Sequence, residues 1–527
     1  VAWTALANHL PALDGAVQRQ ALAAGEPVHV AMALKLQNEA ALDSFVAEVS
    51  RPGSPAYGQF LTPAQVREQF APSDAQVAAV VEHLSSAGFT HIQVAPNKLL
   101  ITADGTASTV EAAFRTELAH FSVGNRDAIA NTTNVQLPVA LQGTVLSVLG
   151  LQNVTQMETL ARRAAAVVPA SAKPLAAQAA HGFDPVAFQQ AYGVGNTGTA
   201  ANTVVGILSE GDLTQTVADL HTFESQNGLP QIPVSIEQVG AASTDTSGID
   251  EWDLDSQDIQ AMSGGVVKQL VFYDVTSLSN ADIMAGVNQA VTDDVAKIIN
   301  VSLGECETSA TTANFEAGTD QLFKTAVAQG QTFSVSSGDS GSHECSVLLK
   351  TRSNAKQSYP AVSPYVVAVG GTSLYTNADG SYASETAWSD GGGGPSVTET
   401  QPSWQSGIVS GTYRGVPDVA LAADPNTGAI IIVSGSSTQV GGTSLAAPLF
   451  SGLYARIQTA NGNTKGFPAP SFYKYVPGNP SLFHDVTSGS NGGVNPYSAA
   501  AGWDYTTGFG SPIVANLAAF VAATPAF

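Results

Sequence analysis

Charge is scarce in this chain: 12% of its 527 residues are Asp, Glu, Lys or Arg, about half the usual share. Positive charge is scarcest, with 20 Lys+Arg against 43 Asp+Glu and a net of −23. That argues against nucleic-acid binding, which needs cations to meet phosphates. Few cations also mean little positive self-repulsion once carboxylates protonate, so the composition suits an acid milieu as well as a solvated acidic surface. Only two cysteines are present, Cys306 and Cys345. Paired, they would close a loop of about 40 residues, worth roughly 4 kcal/mol in the chain-entropy model; two buried thiols are the alternative. No apolar run is long enough to span a membrane. The start, Val1-Ala2-Trp3-Thr4, lacks the basic and apolar stretches of a signal peptide, so the expectation is a cytosolic protein or one whose export signal has been removed.

What is present is a 44% hydrophobic chain with 50 glycines, long enough for more than one domain. Residues 28–124 alternate strands and helices in the order β-α-α-β-β-α-β, compatible with a split βαβ sandwich. A helix is expected from Ser73, with Gln76 completing a capping box and Gly88 ending it; another is expected from Ser108 with Glu111. Residues 156–180 are alanine-rich, carry Arg162-Arg163, Pro169 and Pro174, and show no apolar period. They read as an exposed linker open to cleavage. From residue 203 the pattern becomes βαβα, with apolar strands at 203–209, 266–275, 297–303, 332–337, 366–372 and 429–434. Helical crossovers between such strands imply a parallel sheet covered on both faces. In such sheets chemistry collects beyond the strands' C-terminal ends.

Three motifs carry chemistry. Gly441-Gly442-Thr443-Ser444-Leu445-Ala446-Ala447-Pro448 joins a strand to an apolar helix and can hold a serine hydroxyl at the helix's positive end; alone, it is also an ordinary helix cap. In Ile249-Asp250-Glu251-Trp252-Asp253-Leu254-Asp255, a helix would put Glu251 and Asp255 on one face, as a solvated acidic face or as a pair sharing a proton. Ser337-Gly338-Asp339-Ser340-Gly341 follows a strand: a Gly-Asp turn, or a carboxyl that donates to a developing oxyanion when protonated. Of the nine histidines, only His181, His221, His343 and His484 lie beyond the linker, none in a recognisable catalytic context. A base for Ser444 is therefore expected to be a carboxylate rather than imidazole.

Taken together and in order, these motifs resemble the sedolisins, serine-carboxyl peptidases related in fold to the subtilisins. The flanks Gly391 to Gly394, Pro402-Ser403-Trp404-Gln405 and Arg414-Gly415-Val416-Pro417-Asp418 match as well, and Ser54-Pro55-Ala56-Tyr57-Gly58-Gln59-Phe60-Leu61-Thr62 resembles the family's pro-domain. The resemblance implies an α/β fold: a subtilisin-like, doubly wound parallel sheet over 177–527, an N-terminal α+β ferredoxin-like pro-domain over 1–155, and an activation linker over 156–176. It implies Ser444 as nucleophile, Glu251 as general base, Asp255 orienting it, and Asp339 in the oxyanion hole with the Ser444 N–H. It also implies one calcium ion on Asp485 and Asp504 with the carbonyls of Val486, Ala500 and Gly502, where Ala500 replaces a frequent glycine. The cysteine pair resembles a disulfide of some bacterial members, and Val301-Ser302-Leu303-Gly304 resembles the strand that pairs with substrate. The expected protein is a secreted, monomeric, acid-acting endopeptidase zymogen, inhibited by its own pro-domain and acting on proteins or peptides, with no nucleic-acid or membrane partner. The alternatives are a tripeptidyl exopeptidase, a subtilisin-type enzyme with a histidine base, and a binding protein on a dead scaffold.

Overall fold

In the computed structural model, residues 1–7, 9–165, 180–345, 355–492 and 496–527 are described. Two layered units share an interface. The N-terminal one is built on a four-stranded antiparallel sheet in the order Thr90–Val94, Leu100–Thr106, Pro27–Leu34, Val145–Leu149. The helix Asp74–Ala87 starts at the expected Ser73–Gln76 capping box and ends on Gly88 at φ 101°. The second helix, Ala107–Phe114, is capped two residues earlier than expected: Thr106 and Thr109 form the box, not Ser108 and Glu111. A capped helix at Pro63–Phe70 is additional.

The C-terminal unit is organised by an eight-stranded sheet in the order Val234–Val239, Val267–Val275, Ala200–Glu210, Ile298–Val301, Thr332–Ser336, Val367–Thr376, Tyr382–Ala387, with Val419–Ala422 also paired to Val367–Thr376. All pairings are parallel except the one to Tyr382–Ala387. The strand order reverses beside Ala200–Glu210, so the loops after Ile298–Val301 and Thr332–Ser336 open on one edge where side chains can converge. The segment 429–434, expected in this sheet, instead forms an antiparallel hairpin with Ser436–Gly441. Its apolar run reports burial, which a hairpin packed on helices satisfies equally well. That hairpin delivers the chain to the helix Thr443–Ala460, buried on every side through Gln458 and carrying Pro448 within its first turns.

Cys306 and Cys345 are disulfide-bonded. The two units meet where Glu39 and Asp43 of the first hold Lys324 Nζ of the second, at 2.8 and 2.7 Å, and where Gln321 exchanges hydrogen bonds with the backbone of Leu34 and Leu36.

The expected exposed linker is corrected over its first half. Met157 is buried, Glu158–Thr159 pairs antiparallel with Leu303 and Gly304, and Arg162–Arg163 pairs antiparallel with Gly441 and Val440. Composition shows that this segment has no core face of its own; it does not show that another unit's free backbone groups will order it. Residues 166–176 of the expected linker lie outside the described residues.

Candidate active site

Three elements bring Ser444, Glu251, Asp255 and Asp339 together. Gly442, at φ 99°, turns the chain sharply into the buried helix, leaving Ser444 in its first turn. Ile249–Met262 is helical, so Glu251 and Asp255 share a face one turn apart. Asp339 follows the strand Thr332–Ser336.

Ser444 Oγ donates to Glu251 Oε2 at 2.8 Å. Asp255 Oδ1 accepts from Ser302 Oγ at 2.7 Å, and Ser302 Oγ accepts from Asn300 at 2.9 Å. The remaining oxygens, Glu251 Oε1 and Asp255 Oδ2, are buried without another donor, as a pair sharing one proton requires. Burial pushes both carboxyls well above the usual carboxylate range, Glu251 with help from the charge of Asp255.

Asp339 Oδ1 accepts from Thr443 N and Thr443 Oγ1, both at 2.8 Å. Its Oδ2 has no hydrogen-bond donor and lies 3.4 Å from Arg162 Nε. Burial raises this carboxyl to about 6, against the opposing pull of Arg162 and Thr443. No histidine hydrogen-bonds to Ser444 among the described residues: His221 pairs with Glu224, and His343 with Ser342.

The chain itself occupies the cleft. Leu160 N and Ala161 N both donate to Glu251 Oε2 at 2.8 Å, so one oxygen meets the serine hydroxyl and the amide of the Leu160–Ala161 bond. A Cβ on Gly442 would lie 2.0 Å from the Leu160 carbonyl oxygen and 2.7 Å from Asp339 Oδ2. Only glycine admits that carbonyl so close to the carboxyl. Sequence reasoning did not single out Thr443, which orients Asp339, or Arg162, which faces it; neither has a spacing signal of its own.

The residues implied as calcium ligands also converge. Asp485 Oδ2 accepts from Gly502 N at 2.8 Å and Asp504 Oδ2 from Ala500 N at 3.1 Å, so both carboxylates turn onto one loop. Among the described residues no donor reaches the carbonyls of Val486, Ala500 or Gly502. This all-oxygen set fits a hard cation. Ala500 is not at positive φ, so alanine serves there as well as glycine.

Residues 14–154 match the family model described as the pro-kumamolisin activation domain, and residues 240–471 match the subtilase family. The chain is 47% identical to sedolisin of Pseudomonas sp. (strain 101), over 95% of its own length and 88% of that protein's. It is 45% identical to xanthomonalisin of Xanthomonas sp. (strain T-22), over 95% of its length and 66% of that protein's. A solved structure of Pseudomonas sedolisin, a serine-carboxyl proteinase complexed with pseudo-iodotyrostatin, superposes with a TM-score of 0.63 at 45% identity, covering 66% of this chain and 99% of that one.

Proposed function

Because the chain belongs to the sedolisin family of serine-carboxyl peptidases and carries an activation domain, we propose that it is the zymogen of a secreted, acid-acting endopeptidase that cuts its own linker. Ser444 passes its proton to Glu251 Oε2 and attacks the carbonyl carbon seated before it. The oxyanion takes a hydrogen bond from protonated Asp339 and from the Ser444 N–H. As the C–N bond breaks, Glu251 returns the proton to the departing amine, and water then releases the acyl group by the same route reversed. Asp255 shares the proton of Glu251 and is itself held by Ser302. The observation that carries this reading is the convergence of the Ser444 hydroxyl and the Ala161 amide on one carboxylate oxygen.

Acid dependence follows from Asp339. Above about pH 6 it is ionised, accompanied by Arg162, and it repels the oxyanion it should stabilise. A seated bond then stays uncut. Below that pH it becomes a donor. The Cys306–Cys345 bond suits an oxidising, extracellular setting.

Endopeptidase action is favoured over tripeptide release. Four residues precede the seated bond in the cleft, and Met157 N donates to Leu278 O at 3.0 Å while the chain continues past it.

The test is to hold purified full-length chain at pH 4 and at pH 7.5 and weigh the products. Cleavage after Leu160 at pH 4 is expected, followed by trimming, with Ser444→Ala intact at both. A precursor that stays whole at pH 4, or a Ser444→Ala variant processed like the parent, overturns the reading.

Calcium on Asp485 and Asp504, with the carbonyls of Val486, Ala500 and Gly502, would neutralise two carboxylates and tie the C-terminal loops together. At about 100 times its Kd it contributes roughly 2.7 kcal/mol, a rise in Tm of about 4 °C for a domain of this size. Differential scanning fluorimetry should show that rise in the parent. Its persistence in Asp485→Asn/Asp504→Asn would place calcium elsewhere.

A further inference from the structure

The seated segment carries two of the chain's 20 basic residues immediately after Ala161. Antiparallel pairing of Arg162 with Gly441 and of Arg163 with Val440 makes this stretch a strand, so consecutive side chains leave on opposite faces. Each face meets an acid. Arg162 Nη1 donates to Asp390 Oδ2 at 3.0 Å, Arg162 Nη2 donates to the Asp339 carbonyl, and the guanidinium carbon lies 5.6 Å from the centre of the Trp388 ring. Arg163 is bound bidentately, Nε to Asp250 Oδ2 at 2.6 Å and Nη2 to Asp250 Oδ1 at 2.8 Å. The acids belong to the walls: Asp250 lies in the first turn of Ile249–Met262 and Asp390 two residues after Trp388.

We infer that Asp390 and Asp250 are specificity-determining residues, selecting peptide substrates with a basic side chain at the second and third positions after the bond that is cut. This rests on the proposed peptidase function and on the register of the seated segment. A carboxylate, an aromatic face and a carbonyl converging on one guanidinium are the chemistry that recognises arginine. Planar two-point contact at the other favours arginine over lysine. The four side chains are 27 to 58% exposed, so each pair is weak and the selection modest. The Arg163–Asp250 pair binds ground and transition state alike, so its gain appears in KM, whereas Arg162 also lies 3.4 Å from Asp339 Oδ2 and its effect extends to kcat.

The test uses enzyme activated from the full-length chain, and peptides identical up to a Leu-Ala bond but continuing Ala-Ala, Arg-Ala, Ala-Arg, Arg-Arg or Glu-Glu. Arg-Arg should exceed Ala-Ala about 5- to 10-fold in kcat/KM, the Ala-Arg share through KM, with Glu-Glu the poorest. Asp250→Asn should erase the advantage of Ala-Arg while leaving that of Arg-Ala, and Asp390→Asn the reverse. Equal rates within twofold across the peptides overturn the inference alone and leave the arginines as docking contacts of this chain. A uniform loss on every peptide in Asp250→Asn means that Asp250 acts on its neighbour Glu251 and does not select. Failure to cut any peptide overturns the peptidase reading and this inference with it.

Discussion

Replacing Asp339 with alanine is expected to lower peptide turnover at pH 4 by about 100- to 1000-fold, the usual cost of one lost oxyanion donor. The carboxyl holds its position through Oδ1, which accepts from Thr443 N and Oγ1. Its free Oδ2 crowds Gly442 beside the Leu160 carbonyl. Alanine removes the donor and also strands the Thr443 N–H, so Asp339→Asn is the sharper variant. An asparagine can accept from Thr443 through its oxygen and donate toward the carbonyl through its nitrogen, at any pH. Where wild type loses its donor as pH rises through about 6, Asp339→Asn should lose no donor, and its kcat profile should lack that limb. Turnover measured between pH 3 and 8 for the three proteins decides the matter. Wild-type rates in Asp339→Ala, or an unshifted limb in Asp339→Asn, would remove Asp339 from the chemistry.

Five of the parallel strands were legible because each is a short, continuous apolar run, the pattern that burial on both faces imposes; Val419–Ala422, only four residues long, was not among them. Val234–Val239 escaped notice because it is an edge strand, half exposed, with Glu237 and Gln238 interrupting any run. The hairpin at Ala429–Val433 was misassigned for the complementary reason: hydrophobicity records that a strand is buried, not which neighbour it pairs with. Glu251 and Asp255 were legible through their i, i+4 spacing, and Ser444 and Asp339 through turn motifs whose chemistry is specific only in combination. The resemblance implied that the segment 156–176 lies near the cleft, but the strand pairing of 157–163 was not legible. It comes from backbone groups of Leu303, Gly304 and Val440, which any extended chain can satisfy, and from Glu251, whose role toward Leu160 and Ala161 exists only after folding.

His9 offers a second acid trigger, at the interface between the units. Its Nδ1 pairs with the Ala7 carbonyl at 2.8 Å, and its Nε2 accepts from Val148 N at 3.0 Å. Asn314 of the catalytic unit brings Nδ2 to within 3.3 Å of the same Nε2 while donating to the Leu146 carbonyl. None of these partners is charged. The ring is therefore held neutral, and burial lowers it from the ordinary histidine value of 6.5 to about 4. A base whose folded pKa is depressed stabilises the folded, docked state fully above the unfolded value, and that contribution is lost as pH falls from 6.5 toward 4. Ala7 and Val148 belong to the pro-domain itself, so only the share of this burial supplied by the catalytic unit bears on docking, which weakens as the ring protonates. Protonation would turn Nε2 into a donor facing two donors, and the cost falls on the contact that joins the pro-domain to Asn314. His9→Gln keeps an acceptor for Val148 and cannot take the charge. It should fold normally at pH 7 and activate more slowly at pH 4, with the midpoint of activation moved to lower pH. An activation profile identical to wild type would remove His9 from the release of the pro-domain.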